Sequence, residues 1–273
     1  MPLLPTRCGW AGYRGSIVTG AGRGDLASNF ASDHLSRFEK SLAGFLDLDK
    51  PGGKHARSFA TGIARAQSDR LPDGQLSRSD VLGFNGDPDL DTPTVCAAIL
   101  AWGGMRMDNR NRLSADHDWL SFADNIRRGA ISRAEAFHQF QDLRRDKRLK
   151  GMGPAFFTKL IYFLSPRGGA APPAHILDQW TGSSVNLLSG SDVVRMDIVT
   201  TCLWKQDGSR TIDTAHNVSD HNTALHYEAF CIKMDALVSI FSRSVDEIDC
   251  ALMSEGSDIS WREYLKTSRV HLA

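Results

Sequence analysis

The feature that most constrains this chain is a bend with two glycines, Gly151 and Gly153, between two segments that carry apolar residues at helical spacing. The segment before it, residues 133–148, repeats its apolar side chains every three or four positions, as a helix with one apolar face does. The segment after it starts at Pro154, which suits a first helical turn because the missing N–H has no helical partner there. Glycine adopts backbone angles closed to other residues and lets a second backbone approach closely. The sequence therefore predicts two helices joined by a tight glycine bend.

A cluster of positive charge flanks the bend. Five of the seven residues at positions 144–150 are Lys or Arg, on a chain whose 32 basic and 32 acidic residues balance. Local positive charge supplies the sequence-independent part of nucleic-acid affinity, and a helix N-terminus favours phosphate. The alternative is a solvated helix end whose basic residues suit the helix dipole. We predict backbone contacts to nucleic acid from Lys147, Lys150, Gly151, Met152 and Gly153.

The stretch Leu149-Lys150-Gly151-Met152-Gly153 resembles the L-x-G-x-G element of helix-hairpin-helix (HhH-GPD) DNA glycosylases. Asp178 follows Gly153 by 25 residues and stands where that superfamily places its catalytic aspartate. Bacterial proteins similar to 8-oxoguanine glycosylase share two further stretches, residues 101–105 and 261–265. The resemblance implies an all-α fold in which two helical lobes enclose the active cleft. Strand-like alternation is scarce in the sequence, which agrees with that expectation.

Turn-forming residues suggest three regions along the chain. We expect an N-terminal helical region at 1–91, a helix-hairpin-helix catalytic core at 92–190, and a C-terminal helical region at 191–273 that packs with the N-terminal part. Besides the two helices at the bend, the periodic pattern predicts a helix that Thr92 caps. The full set of these further helices is 29–46, 55–69, 92–102, 192–204 and 222–241.

The resemblance assigns the chemistry to Asp178. Breaking an N-glycosidic bond leaves positive charge on the deoxyribose, as in sugar hydrolysis through an oxocarbenium-like state. A carboxylate about 4 Å from that charge, at an effective dielectric near 20, is worth roughly 4 kcal/mol. The alternative role of Asp178 is a helix cap, since aspartate often precedes the first turn of a helix.

A lysine is missing from the position where the bifunctional glycosylases carry one. Those enzymes place it two residues after the second glycine, where its amine attacks the sugar and permits strand cleavage. Ala155 occupies that position here, so we expect a monofunctional enzyme that leaves an abasic site. Lys159, one turn further along the same face, is the candidate substitute nucleophile, and its alternative role is a solvated or phosphate-contacting lysine.

A glycosylase must also swing its target base out of the duplex and fill the gap that is left. Aromatic side chains could stack on the base, and a polar loop after Met107 could enter the duplex. Each aromatic could equally be part of the core. The candidates for the base pocket or the wedge are Phe84, Trp102, Asn109, Arg110, Arg112, Trp180 and Trp204.

Composition limits the remaining options. With 41% hydrophobic and 23% charged residues and no long apolar run, we expect a monomeric cytoplasmic protein without a membrane span. The five cysteines are scattered without a C-x-x-C pair, so neither a metal nor another cofactor is implied.

The expected partner is double-stranded DNA that contains a modified base. An oxidised purine such as 8-oxoguanine is one option, and a hypermodified phage base such as glucosylated hydroxymethylcytosine, removed in anti-phage defence, is the other. The competing interpretation is a non-catalytic helix-hairpin-helix protein that only binds DNA.

Overall fold

The computed structural model describes residues 23–43, 49–113, 117–204, 207–253 and 260–269. These ranges hold thirteen α-helices, a 3-10 helix at Ser68–Arg70 and one two-stranded antiparallel ribbon. In chain order the elements are α1 Arg23–Ala27, α2 Ser32–Ala43, α3 Ala56–Ala60, α4 Arg78–Gly86, α5 Thr92–Trp102, α6 Met107–Leu113, α7 Asp118–Arg127, α8 Arg133–Arg145, α9 Pro154–Leu164, α10 Gln179–Ser189, β1 Met196–Trp204, β2 Arg210–Val218, α11 Ala224–Phe241, α12 Val245–Leu252 and α13 Trp261–Arg269. The architecture is therefore mainly helical, as predicted.

Two helices, α5 and α9, are apolar around most of their circumference and pack together inside the core. In α9 every residue from position 157 to 164 is buried. A helix that is hydrophobic all round belongs in the interior of a protein. The bend with Gly151 and Gly153 leads directly into α9, so it is anchored to a buried helix of the core.

The start of α5 differs by one residue from the prediction. Asp91, not Thr92, is the N-cap, and its Oδ1 accepts the N–H of Thr94 at 2.9 Å. Thr92 is already helical, and its hydroxyl instead donates to Asp124 of α7 at 2.8 Å. Both residue types cap helices well, and aspartate offers the stronger acceptor to an unpaired N–H.

The helix predicted at residues 55–69 is wrong beyond its first turn. The helix ends at Ala60, and the chain then turns through Gly62 and through Arg65, whose φ is +66°. A Cβ atom at Gly62 would lie 2.3 Å from the guanidinium of Arg110, which fills the space beside this turn. The helical spacing of the apolar residues did not reveal this break in the backbone.

The helix predicted at residues 192–204 is also wrong, because β1 occupies most of it. β1 pairs with β2 in a register that runs from Met196↔Val218 to Trp204↔Arg210. The run Ile-Val-Thr-Thr at 198–201 is β-branched, and such residues favour strands because their χ1 freedom is restricted in a helix. Both faces of the ribbon are exposed along most of its length, so its apolar residues do not alternate.

The bend connects helices that share an aromatic core. Ser132 caps α8 by accepting the N–H of Glu135, and the helix starts where the predicted helical segment 133–148 begins. Phe140 of α8 stacks on Phe157 of α9 with ring centroids 5.4 Å apart, and both rings are buried. Burying one such ring contributes about 1.5–3 kcal/mol. The packing fixes α8 and α9, and with them the two ends of the bend.

The helix α2 contacts α10, α12 and α13, so helices from early and late in the described chain pack together. Arg78 of α4 pairs with Asp249 of α12 at 2.5 Å, and both side chains are buried. The indole of Trp261 in α13 donates to the hydroxyl of Ser184 in α10 at 2.8 Å. No helix in the described ranges is long and apolar enough to cross a membrane.

Candidate active site

The glycine bend has the predicted backbone geometry at Gly151 but not at Gly153. Gly151 has a φ of +84°, and a Cβ atom there would lie 2.4 Å from the carbonyl oxygen of Asn109 in α6. Gly153 differs from it, since its φ of −91° is open to any residue and a Cβ atom would meet nothing within 4 Å. The first glycine is therefore required by the fold, whereas the second leaves open space in front of the backbone.

That open space lies at the N-terminus of α9. Gly153 is the N-cap residue, so α9 has no side-chain cap there, and Pro154 follows. The first amides of a helix have no partner within the helix, and the partial positive charge favours an anion beside them. The N-terminus of α9 can therefore take a phosphate oxygen.

Three of the five cations beside the bend are used within the fold. Arg144 donates to the carbonyl of Met152 at 2.6 Å and pairs with Asp220 just after β2. Arg145 pairs with Asp142, and Arg148 pairs with Asp118. Lys147 and Lys150 remain exposed, and the described residues show no ion pair for either. These two lysines match the positions predicted to contact a nucleic-acid backbone.

Asp178 has two separate environments for its two carboxylate oxygens. Oδ1 caps α10, accepting the N–H groups of Trp180 at 2.8 Å and Thr181 at 3.1 Å. Oδ2 faces the amine of Lys159 at 3.8 Å. The two roles considered for Asp178 are therefore compatible, because the cap uses one oxygen and leaves the other directed at an amine.

Lys159 reaches this carboxylate because its side chain runs back along α9. Side chains on a helix lean toward its N-terminus, and Nζ of Lys159 donates to the carbonyl of Ala155 at 2.9 Å, one turn earlier. The amine of Lys159 therefore lies at the level of Ala155, although the Cα atom of Lys159 lies one turn further along α9. The side chain is only 10% exposed. Burial lowers the pKa of the Lys159 amine below its usual value, against the opposing effect of the Asp178 carboxylate.

Gly103, at the end of α5, makes room for this lysine. A Cβ atom at Gly103 would lie 2.9 Å from Cδ of Lys159. Gly104 follows with a φ of +73° and ends the helix. Both glycines lie in the stretch 101–105 singled out in the sequence, and Gly103 gives that stretch a physical role beside the aliphatic part of the Lys159 side chain.

Phe156 lies beside Lys159 and was not among the site residues predicted from the sequence. Its ring centroid lies 5.6 Å from Nζ of Lys159, and the ring is half-buried. The spacing on α9 marks Phe156 as one more core aromatic. Its partial exposure next to the Lys159 amine could only be found from the structure.

Trp180 follows the catalytic candidate Asp178 at the start of α10. Its indole is half-buried, and the guanidinium of Arg262 in α13 lies 3.7 Å above the ring centroid. An arginine stacked on an aromatic ring is a favourable cation–π pair. Trp180 thus lies beside the carboxylate in sequence, with one ring face covered by Arg262.

Two other predicted aromatics pack inside the fold. Trp102 meets Phe163 edge to face at 4.9 Å, and Arg78 lies 5.1 Å over its ring. Phe84 in α4 is half-buried and packs against the core. These contacts give both side chains a structural role.

The predicted polar loop after Met107 is instead the helix α6. Asn109 contacts the bend through its backbone, since its carbonyl faces Gly151. Arg110 donates to the carbonyls of Ser58 and Phe59, at 3.2 and 3.0 Å, so its guanidinium is engaged within the fold. Arg112 is exposed. The segment 107–113 contains neither Gly nor Pro, so no residue in it interrupts a helix.

Trp204 lies far along the ribbon and is 71% exposed. It is eight residues beyond Met196, which is roughly 26 Å at the rise of a strand. Met196 packs on α10, where its sulfur would lie 3.4 Å from a Cβ atom placed on Gly182. The structure therefore does not bring Trp204 together with Asp178 and Lys159.

Comparison with known protein families gives a match over most of the chain. The family model described as "Putative 8-oxoguanine DNA glycosylase OGG-like protein" matches residues 53–253, about three quarters of the chain. That segment contains the bend, Lys159 and Asp178, whereas α13 with Arg262 lies beyond it. No solved structure matches the chain. The chain belongs to the OGG-like family, whose general activity is that of a DNA glycosylase.

Proposed function

We propose that this chain hydrolyses the bond between a modified base and deoxyribose in duplex DNA, with Asp178 as the catalytic carboxylate. The observation that carries the proposal is the Asp178 carboxylate, which caps α10 through Oδ1 while Oδ2 faces the amine of Lys159 at 3.8 Å. Nζ of Lys159 donates a hydrogen bond to the carbonyl of Ala155, which lies two residues after Gly153 in the first turn of α9. The Asp178 carboxylate beside this amine is therefore close to the proposed phosphate site at the N-terminus of α9. This arrangement combines a proposed phosphate-binding bend with the negative charge of Asp178, which the cap holds in place.

The charge of Asp178 acts on the sugar. As the base leaves, C1′ becomes cationic, and a carboxylate already fixed nearby stabilises that charge without reorganisation. The same carboxylate can take a proton from the water that attacks C1′. The products are the free base and an abasic site.

The bend holds the DNA beside the carboxylate. The backbone from Lys150 to Gly153 and the N-terminus of α9 bind one phosphate, and the exposed side chains of Lys147 and Lys150 add positive charge. Since the chain has no net charge, DNA affinity comes from this local patch. The target base is turned out of the duplex toward the side chains around Asp178, where Phe156 and Trp180 offer aromatic surface.

Lys159 supports a second candidate activity, strand cleavage after base removal. A buried amine with a lowered pKa next to a carboxylate is a suitable nucleophile. Its lone pair would form a bond to C1′ as the bond to the base breaks, and the base would leave with a proton. The C1′–O4′ bond of the sugar would then break, with O4′ taking a proton from water, to give an iminium at C1′. Loss of a proton from C2′ to water would then expel the 3′-phosphate by β-elimination. The absence of lysine at position 155 favours simple hydrolysis, and the position of the Lys159 amine favours this alternative.

The substrate is proposed from the family and from the site. 8-Oxoguanine is the first choice because the matching family bears its name. A hypermodified pyrimidine such as glucosylated hydroxymethylcytosine is the second choice, and it would indicate a role in anti-phage defence. Ala155, where the bifunctional enzymes have lysine, separates this chain from them and keeps the second choice in the test.

The experiment is incubation with a panel of duplexes, each with one modified base, followed by alkali to reveal abasic sites. Strand breaks that need alkali would support hydrolysis. Breaks before alkali, together with a borohydride-trapped complex that Lys159→Gln loses, would support the lyase. DNA binding without base release from any duplex, unchanged in Asp178→Asn, would identify a DNA-binding protein and overturn the proposal.

A further inference from the structure

The segment that leads to Asp178 has no regular secondary structure, yet side chains from several helices hold its backbone. Buried backbone groups need hydrogen-bond partners, and a segment outside helices and sheets must find them elsewhere. The carbonyl of Pro173 accepts from Arg133 of α8. The carbonyl of His175 accepts from the hydroxyl of Tyr227 in α11 at 2.8 Å. The path of residues 173–178 is therefore set by the surrounding helices.

Thr158 makes the last of these contacts. Leu177 donates its N–H to the hydroxyl oxygen of Thr158 at 3.0 Å. The hydroxyl of Thr158 donates in turn to the carbonyl of Pro154 at 2.7 Å, and the carbonyl of Leu177 lies 3.2 Å away. Thr158 is fully buried, so water does not compete for these bonds. One hydroxyl thus connects α9 to the residue that immediately precedes Asp178.

This contact joins the two groups proposed to act on the sugar. Thr158 immediately precedes Lys159, and Leu177 immediately precedes Asp178. The cap fixes Asp178 relative to α10, and the bond to Ala155 fixes Lys159 relative to α9. Neither of these bonds fixes the distance between the carboxylate of Asp178 and the amine of Lys159. The hydrogen bond from Leu177 to Thr158 does so, because it joins the segment that leads to Asp178 to α9.

We propose that Thr158 is a positioning residue that sets the separation between the Asp178 carboxylate and the Lys159 amine. The inference rests on the proposed function, since it assumes that Asp178 acts on the sugar. A threonine in a helix often bonds to the carbonyl four residues earlier, and that bond alone would be a local feature of α9. The bond accepted from Leu177 goes beyond this local role, since its donor lies outside α9.

Thr94 offers a matched control. It is also a fully buried threonine on a core helix, and its hydroxyl also accepts a backbone N–H from outside the helix, that of Gln67 at 2.7 Å. Thr158→Val and Thr94→Val each remove one such acceptor with little change in side-chain volume. Both variants should lose similar thermal stability, while only the first disturbs the proposed site.

The test measures single-turnover base release from duplex DNA that carries the substrate base, starting with 8-oxoguanine. Thr158→Val should release the base about 100-fold more slowly with unchanged DNA affinity, since a misplacement near 1 Å costs about that factor. Thr158→Ser retains the hydroxyl and should stay within about threefold of wild type on the same argument. Thr94→Val should keep the wild-type rate.

A combined variant separates positioning from general damage. In the Asp178→Asn background, Thr158→Val should slow base release little further, because the group it positions has already lost its charge; independent effects would add instead. Equal rates for Thr158→Val and Thr94→Val, or full additivity with Asp178→Asn, would overturn the positioning role. If Thr158→Val does not fold, Thr158→Ala and Thr94→Ala replace the pair under the same criteria. Full activity of Asp178→Asn alone would instead refute the proposed function.

Discussion

Replacing Asp178 with Asn should separate catalysis from folding. Asn is as good an N-cap as Asp, so its side-chain oxygen can still accept the N–H groups of Trp180 and Thr181 that Oδ1 accepts now. The substitution therefore removes the charge while the start of α10 stays intact. A carboxylate about 4 Å from the developing charge on the sugar, at an effective dielectric near 20, contributes roughly 4 kcal/mol. At 1.36 kcal/mol for each tenfold in rate, base release should slow by about three orders of magnitude.

The assay is single-turnover base release, with the melting temperature and DNA affinity measured on the same protein. Asp91→Asn is the matched control, because Asp91 caps α5 through Oδ1 in the same way and lies outside the site. That control should keep the wild-type rate. Base release by Asp178→Asn within about threefold of wild type, a change worth under 1 kcal/mol, would refute the catalytic role.

The same substitution should shift the titration of Lys159. The negative charge of Asp178 raises the pKa of this amine and partly opposes the effect of burial, which lowers it. Removing that charge should lower the pKa further, so that the amine loses its proton at a lower pH. The pH dependence of acetylation at Lys159, followed by mass spectrometry, should move to lower pH in Asp178→Asn and stay in place in Asp91→Asn. A shift to higher pH would contradict the contact between the two groups.

Two further predictions concern the bend and the buried ion pair. Gly151→Ala should lower the melting temperature, because its Cβ atom would lie 2.4 Å from the carbonyl of Asn109. Gly153→Ala should leave the melting temperature unchanged but weaken DNA binding measured by fluorescence anisotropy. An affinity equal to that of the wild type would refute the proposed phosphate site at the bend. Arg78→Met should cost about 3–5 kcal/mol in urea unfolding because it strands Asp249 in the core. Arg78→Met combined with Asp249→Leu should recover most of that loss. A double variant no more stable than Arg78→Met would show that the unpaired carboxylate of Asp249 is not the cause of the loss.

The helices of the core could be predicted because their signals are local. α5 and α9 are long apolar runs that start after a cap or at a proline, and α11 has the same apolar character. The bend could be predicted as well, since the positive φ of Gly151 is a demand that few other residues meet. In these places the composition of a short segment decides its conformation.

The ribbon and the position of Lys159 could not be predicted in this way. In the ribbon, apolar side chains such as Leu203 and Ile212 are more than half exposed, so burial imposes no alternation on β1 and β2. Counting residues along α9 placed Lys159 one turn away from position 155, but the Lys159 side chain extends back over that turn. Its amine lies beside Ala155 because Gly103 leaves room for the stem. That room comes from a helix more than fifty residues earlier in the chain.

The buried amine bears on the choice between an enzyme and a protein that only binds DNA. A binding protein needs the bend and the exposed lysines at 147 and 150, and neither requires a charged group inside the fold. Burying an amine opposes folding when the amine is protonated, since its lowered pKa means that the unfolded chain holds the proton more tightly. Stability contributed at this group should therefore rise as the pH rises from the folded pKa toward the usual lysine value. A destabilising lysine held 3.8 Å from the aspartate that caps α10 would serve the proposed chemistry at the sugar, whereas it would add nothing to phosphate binding at the bend.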